Sequence, residues 1–140
     1  METARTIIDT DVLVDLLRNK KETLAFVSKL EAKKFLLATT AVNAFELYYG
    51  AHKSATPEKG IQSTETLLKR LVLLPLTTRS AQKAAHIYAE LGKKGQPIGL
   101  RDTFVGGIAL TRGYSVATRN VEHFKKIRGL HIINAAKSVA

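Results

Sequence analysis

The chain is 140 residues long, 45% hydrophobic and 24% charged, a balance that fits one folded domain spanning 1–140 with a real core. It has no cysteine, no apolar stretch reaching the ~18–20 residues of a bilayer span and no signal-peptide pattern. Disulfide scaffolds, thiolate zinc sites, cysteine nucleophiles and membrane association are thereby excluded, and an intracellular protein is expected.

Thr6-Ile7-Ile8 is a β-branched run ending at Asp9 and reads as a buried strand. Val12, Leu13, Leu16 and Leu17 follow helical spacing, as do Leu24, Val27 and Leu30. Phe35-Leu36-Leu37 is a second strand, closed by Thr39 and Thr40. Either threonine suits the N-cap of the next helix, over Val42 to Lys53. Ser54 to Gly60, with Pro57, reads as a loop before a helix near Glu65 to Arg70, and Leu71 to Leu76 as a third strand. Thr78 or Ser80 opens a helix whose apolar side is Ala81, Ala84, Ala85, Tyr88 and Leu91, ended by Gly92, Gly95 and Pro97. A helix from Asp102 to Arg112 follows, capped by Gly113, and then strands at Ser115 to Thr118 and His131 to Ile133. Strands alternating with helices predict an α/β fold, a parallel sheet of about five short strands flanked by helices.

Twenty-two Lys and Arg against twelve Asp and Glu give a net charge of +10. The excess is uneven: residues 1–75 hold 11 basic and 9 acidic groups, residues 76–140 hold 11 and 3. Such a field draws polyanions, either nucleic acid or an acidic partner protein.

With acids this scarce, their positions are informative. Asp9 closes the first strand, at the edge where parallel sheets bind ligands, although Asp is also a common N-cap. Val42, Phe45, Glu46 and Tyr49 fall at i, i+3, i+4 and i+7, which sets Glu46 in an apolar stripe. There it needs a cation, a proton or an Arg partner. Asp102 opens its helix, where an acid complements the helix dipole, and its neighbours Val105 and Ala109 lie on the sheet-facing side. Three carboxylates at one edge repel one another unless a cation neutralises them, and all-oxygen ligation suits Mg²⁺ or Mn²⁺.

Four segments, Ile7 to Leu13, Phe45 to Gly50, Ile98 to Phe104 and Val116 to Phe124, resemble the four signatures of PIN-domain ribonucleases. Within them the chain looks most like VapC-type toxins of type II toxin–antitoxin pairs. The resemblance implies a metal-dependent endoribonuclease with an acidic quartet on Asp9, Glu46, Asp102 and, at the fourth position, the neutral Asn120. Asp9 and Asp102 are the implied direct metal ligands, with Glu46 completing the coordination or activating water. Thr10, Asp11 and Thr118 are implied neighbours of the site. Arg101, Arg112, Arg119, Lys125, Lys126 and Arg128 are candidates for the RNA backbone. The resemblance also implies RNA as substrate, a cognate antitoxin and a homodimer. Gly106-Gly107 stands where Ala is usual, which predicts a less rigid helix.

Two other readings remain open at this point. Asp9-Thr10-Asp11-Val12 also matches a haloacid-dehalogenase-like phosphatase motif, with Asp9 as nucleophile and Asp11 as acid and base, but that leaves Glu46 unexplained. A non-catalytic basic module holding RNA or an acidic protein is favoured only by Asn120.

Overall fold

A computed structural model describes residues 4–136. Its elements are β1 (Arg5–Ile8), α1 (Thr10–Leu17), α2 (Lys21–Ala32), β2 (Leu36–Thr40), α3 (Ala41–Lys53) and α4 (Pro57–Leu68). After these come β3 (Val72–Leu74), α5 (Thr78–Lys93), α6 (Leu100–Arg112), β4 (Ser115–Thr118), α7 (Val121–Phe124) and β5 (Ile132–Asn134). All four strand pairings are parallel, in the order β3-β2-β1-β4-β5, as the alternating pattern predicts.

β1 is the middle strand, and Thr6, Ile7 and Ile8 are fully buried, as expected for a parallel strand covered on both faces. Ile7 lies level with Ala38 on β2 and Val116 on β4. Side chains alternate across the sheet. Ile7, Ala38 and Val116 enter the core with Ile87, Leu91, Val105 and Ile108 from α5 and α6. Ile8 and Ala117 face the other way, against Val12, Leu13, Phe26, Leu30 and Leu47 from α1, α2 and α3. The chain runs from β1 toward β2 and β3, then returns across β1 to lay down β4 and β5. That reversal puts a crevice at the carboxyl ends of β1 and β4.

Several local expectations need correction. The polar stretch with Pro57 is helical from Pro57 onward, because proline at the first helical position forfeits only an amide that has no partner there. The third strand is shorter, Val72–Leu74. β2 extends through Thr39 and Thr40, and of the two threonines that suited the N-cap of α3 it is Thr40 that fills it, as expected. On α5 the buried line is Ser80, Ala84, Ile87 and Leu91; Ala85 and Tyr88 face solvent. The cap there is Thr77, in a reciprocal pair with Ser80. The turn of helix at Val121–Phe124 has no counterpart among the expected elements, and it buries Phe124 completely. Gly107 has a packing role in α6. A methyl group there would lie 2.7 Å from the Ser80 carbonyl oxygen and 2.9 Å from Ala84 Cβ, so glycine is what lets α5 and α6 approach so closely.

Candidate active site

Asp9 immediately follows β1 and occupies the N-cap position of α1, yet its side chain makes no capping bond. Its carboxylate is used elsewhere. Oδ1 accepts Asn43 Nδ2 at 3.0 Å and Oδ2 accepts the Thr118 hydroxyl at 2.7 Å, in a site where Asp9 is 1% exposed. Asp102 sits in the first turn of α6 and is 5% exposed. Glu46 reaches the same place from the second turn of α3. Three separate crossovers thus deliver three carboxylates to the carboxyl edge of the sheet.

Glu46 arrives there by a different route from the one its spacing suggested. The buried face of α3 is Asn43, Ala44, Leu47 and Ala51, whereas Phe45 and Tyr49 are 67% and 54% exposed. Phe45 and Tyr49 therefore lie on the outer side of the helix, whereas Val42 is partly buried against the core. Phe45 and Tyr49 stack on one another, and Lys53 lies over the Tyr49 ring. Glu46 is partly exposed and carries an Arg partner.

That partner is Arg101, at the centre of the site. Its Nε donates to Glu46 Oε1 at 2.6 Å, while its two terminal nitrogens pair with Asp9 Oδ1 and Asp102 Oδ1. Burial works to lower the guanidinium pKa. The charge of Asp9, the hydrogen bond and charge of Glu46, and the charge of Asp102 outweigh it and hold Arg101 above its ordinary value. Arg101, a candidate for the RNA backbone by sequence, is in this structure engaged by carboxylates of its own chain.

Around this centre runs a hydrogen-bonded frame that the motifs only partly indicated. Asn43, fully buried, was missed. Its amide oxygen accepts from the Thr40 backbone and hydroxyl, completing the cap of α3, while its amide nitrogen donates to Asp9 Oδ1 and, at 2.9 Å, to Thr10 Oγ1. Thr10 passes its own hydroxyl proton to Glu46 Oε1 at 2.6 Å. The available signal was the Thr40-x-x-Asn43 capping pattern one helical turn before Glu46. Thr118 accepts the Asn120 amide at 2.9 Å, and the Asn120 side chain reaches Asp102 Oδ2 at 3.3 Å. His123 Nδ1 lies 2.8 Å from the same oxygen. The same ring nitrogen lies 2.9 Å from the Asn120 side-chain nitrogen, so Asp102, Asn120 and His123 form one polar cluster. His123 also had no role assigned from sequence.

Asp11 and Arg119 form a flank rather than part of the centre. Arg119 gives its backbone N–H to Asp11 Oδ2 at 3.1 Å and its guanidinium to the Asp11 carbonyl and to the buried Asp15 carboxylate. Burial pushes Asp15 up, but Arg119 and Lys20 prevail and hold it below the usual carboxylate range. Asp11 goes the other way. Burial first, then the charge of Asp9, raise its pKa against the opposing bond and charge of Arg119, and its Oδ1 is buried without a hydrogen-bond partner. Farther off, Lys83, His86, Lys126 and Arg128 line a cleft of about 240 Å³ together with Glu90.

The donor set suits a hard divalent cation: carboxylate oxygens only, two of them nearly buried, around a position already held by positive charge. Among the described residues no group of three His, Cys, Asp or Glu side chains is disposed to hold a metal ion as it stands. The guanidinium of Arg101 lies among the three that would.

The sequence matches the PIN domain over residues 6–130. It is 32% identical over 126 residues to the tRNA(fMet)-specific endonuclease VapC of Salmonella typhimurium, covering 90% of this chain and 94% of that one. The fold superposes on VapC-containing complexes. DNA-bound VapBC from Salmonella typhimurium gives a TM-score of 0.83 at 29% identity, covering 93% of this chain and 97% of that one. VapBC-5 from Mycobacterium tuberculosis, a member of the VapBC family of toxin-antitoxin systems, gives 0.72 at 22% identity, with 93% and 98% covered. These matches overturn the phosphatase reading, and Asp11 is in any case engaged by Arg119. The chain belongs to the PIN-domain family and, within it, to the VapC-type ribonucleases.

Proposed function

We propose that Asp9, Glu46 and Asp102 are the catalytic and metal-binding carboxylates of an endoribonuclease that uses Mg²⁺ or Mn²⁺. On this reading the protein acts as the toxin of a type II toxin–antitoxin pair. The observation that carries the proposal is the convergence of the three acids, from three different crossovers, on one cationic group at the sheet edge. A divalent ion held there supplies a Lewis acid for the scissile phosphate.

The chain's own groups do the rest. Asn43 and Thr118 fix both oxygens of Asp9, so this carboxylate does not rotate. Glu46, the most exposed of the three, faces solvent and is placed to take a proton from attacking water, with Thr10 setting its orientation. Asn120 stands at the fourth position of the quartet. As an amide it adds no negative charge and steadies Asp102 together with His123. Asp11 and Arg119 act from the side by holding the start of α1 against the end of β4. The cognate antitoxin is the expected partner, as the VapBC complexes suggest, and a homodimer is the expected assembly. No described helix is long and apolar enough to cross a membrane. The cytoplasm is the expected place of action for an enzyme of this kind.

The test is cleavage of a fluorescent RNA panel that includes initiator tRNA, the substrate named for the Salmonella relative. Cleavage should vanish in EDTA, return with Mg²⁺ or Mn²⁺, and be lost in Asp9→Asn and Asp102→Asn. Metal-independent cleavage, or full activity in both variants, overturns the reading.

A further inference from the structure

We propose that Arg101 is a built-in counter-ion that a divalent cation has to displace from among Asp9, Glu46 and Asp102, so that its side chain sets the metal concentration at which the site becomes active. The inference rests on the nuclease reading and adds a mode of regulation to it.

The geometry is specific. Three nitrogens of one guanidinium each meet a different carboxylate, a use of the planar fork that an ammonium group does not reproduce. The remaining oxygens of Asp9 and Asp102 are already engaged, Asp9 Oδ2 by Thr118 and Asp102 Oδ2 by Asn120 and His123. The oxygens that face the shared space are therefore the ones Arg101 holds. A metal ion coordinated by Asp9 and Asp102 needs those atoms and replaces the guanidinium rather than joining it.

Displacement has a route. Arg101 is the second residue of α6 and its side chain is 28% exposed. It borders an open cleft of about 450 Å³ whose other walls are Ala41, Val42, Phe45, Leu76 and Phe104, with Glu46 at the rim. Because Arg101 lies in the first turn of α6 and lines that cleft, its release from the carboxylates would need a change of side-chain rotamer and no unwinding of the helix. Without metal, Arg101 offsets the mutual repulsion of three acids. With metal, that task passes to the ion.

In such an exchange the apparent Kd for metal equals the intrinsic Kd divided by the fraction of molecules with Arg101 swung out. Arg101→Gln removes the competitor. In titration calorimetry with Mn²⁺ alone and no RNA, it should bind at least about 10-fold more tightly than the wild type. Arg101→Lys, which keeps the charge but loses the fork, should fall between them. In EDTA, Arg101→Gln should melt below the wild type, and saturating Mn²⁺ should raise its melting temperature more than it raises that of the wild type. Equal or weaker Mn²⁺ binding by both variants overturns the inference and leaves the nuclease reading standing. Absence of Mn²⁺ binding in all three proteins overturns both. If Arg101→Gln does not fold in EDTA, the comparison of Arg101→Lys with the wild type decides.

Discussion

Asn43 donates to Asp9 at 3.0 Å while its amide oxygen closes the N-terminal cap of the helix that carries Glu46. One buried side chain thus ties the orientation of the first carboxylate to the placement of the second. Asn43→Ala removes both functions and leaves Thr10 and Asp9 short of a donor. A loss of about 1–3 kcal/mol is expected from the unsatisfied partners, with up to ~2 kcal/mol more from the weakened cap. Denaturant unfolding reads the stability. Cleavage per folded molecule should also fall, because Asp9 and Glu46 lose their common support. Full activity in a folded Asn43→Ala would show that the link is structural only.

For Glu46→Gln the two readouts should separate. The Glu46–Arg101 pair is partly exposed on both sides, 30% and 28%, a setting in which ion pairs contribute only about 0–1 kcal/mol. Arg101 also keeps its two aspartates. The melting temperature should therefore move little, whereas cleavage should drop by at least ~100-fold if this carboxylate is the base. A thermal melt and an RNA cleavage assay on the same sample suffice. Normal cleavage with a large loss of stability would assign Glu46 to the fold instead.

Asp11 predicts a dependence on pH. Its pKa is raised in the fold by burial and by Asp9, so the native state binds the proton more tightly than the unfolded chain does. The ionised group therefore costs stability at neutral pH. Asp11→Asn should be more stable than the wild type at pH 7. The gap should be full above the folded pKa, shrink as pH falls through it, and close below the unfolded value of about 3.9. Urea melts across that range test the sign. An Asp11→Asn protein less stable than the wild type at pH 7 would show that the bonds to Arg119 outweigh the buried charge.

The site was legible where its residues announce themselves by position. Asp9 and Asp102 stand out because a strand end and a helix start are where the chain geometry aims a carboxylate at the crevice. Glu46 was found through a stripe whose Phe45 and Tyr49 proved to face outward, because the inner face of α3 is built from Asn43, Ala44, Leu47 and Ala51, and the polar Asn43 hides that face from a reading by apolar spacing. Asn43 itself looks like an ordinary cap residue, since its partner Asp9 is 34 positions away and nothing local indicates the bond. Arg101 reads in sequence as one more surface cation; only the fold reveals that three acids surround it. On α5 Ala84 and Leu91 are buried as the spacing predicts, but Ile87 takes the place of Tyr88, since an isoleucine is buried more completely than a tyrosine that can turn its hydroxyl to water.

Two glycines offer a test of packing. Gly107→Ala places a methyl group against the backbone carbonyl of Ser80, an atom that cannot step aside without moving α5. A loss of about 1–3 kcal/mol is expected for such overpacking. Gly50, inside α3, has open space at the same position, and Gly50→Ala should add about 0.5–1 kcal/mol through helix propensity. Chemical denaturation of the two variants side by side should give opposite signs, and equal signs would contradict the close approach of α5 and α6.

The strand order has a consequence for synthesis. Because β1 is flanked by β2 and by the much later β4, Asp9 finds Thr118 across 109 residues and Arg101 across 92. A chain leaving the ribosome presents Asp9 and Glu46 long before the segment that carries Asp102, Asn120 and the last supporting strands. Parallel pairing across such separations forms late, and no portion that ends before Asp102 contains all three acids. A nascent or prematurely ended chain that lacks the later segment accordingly lacks the assembled site. The hazard begins only when the finished protein folds, which is also when a partner has a complete surface to bind.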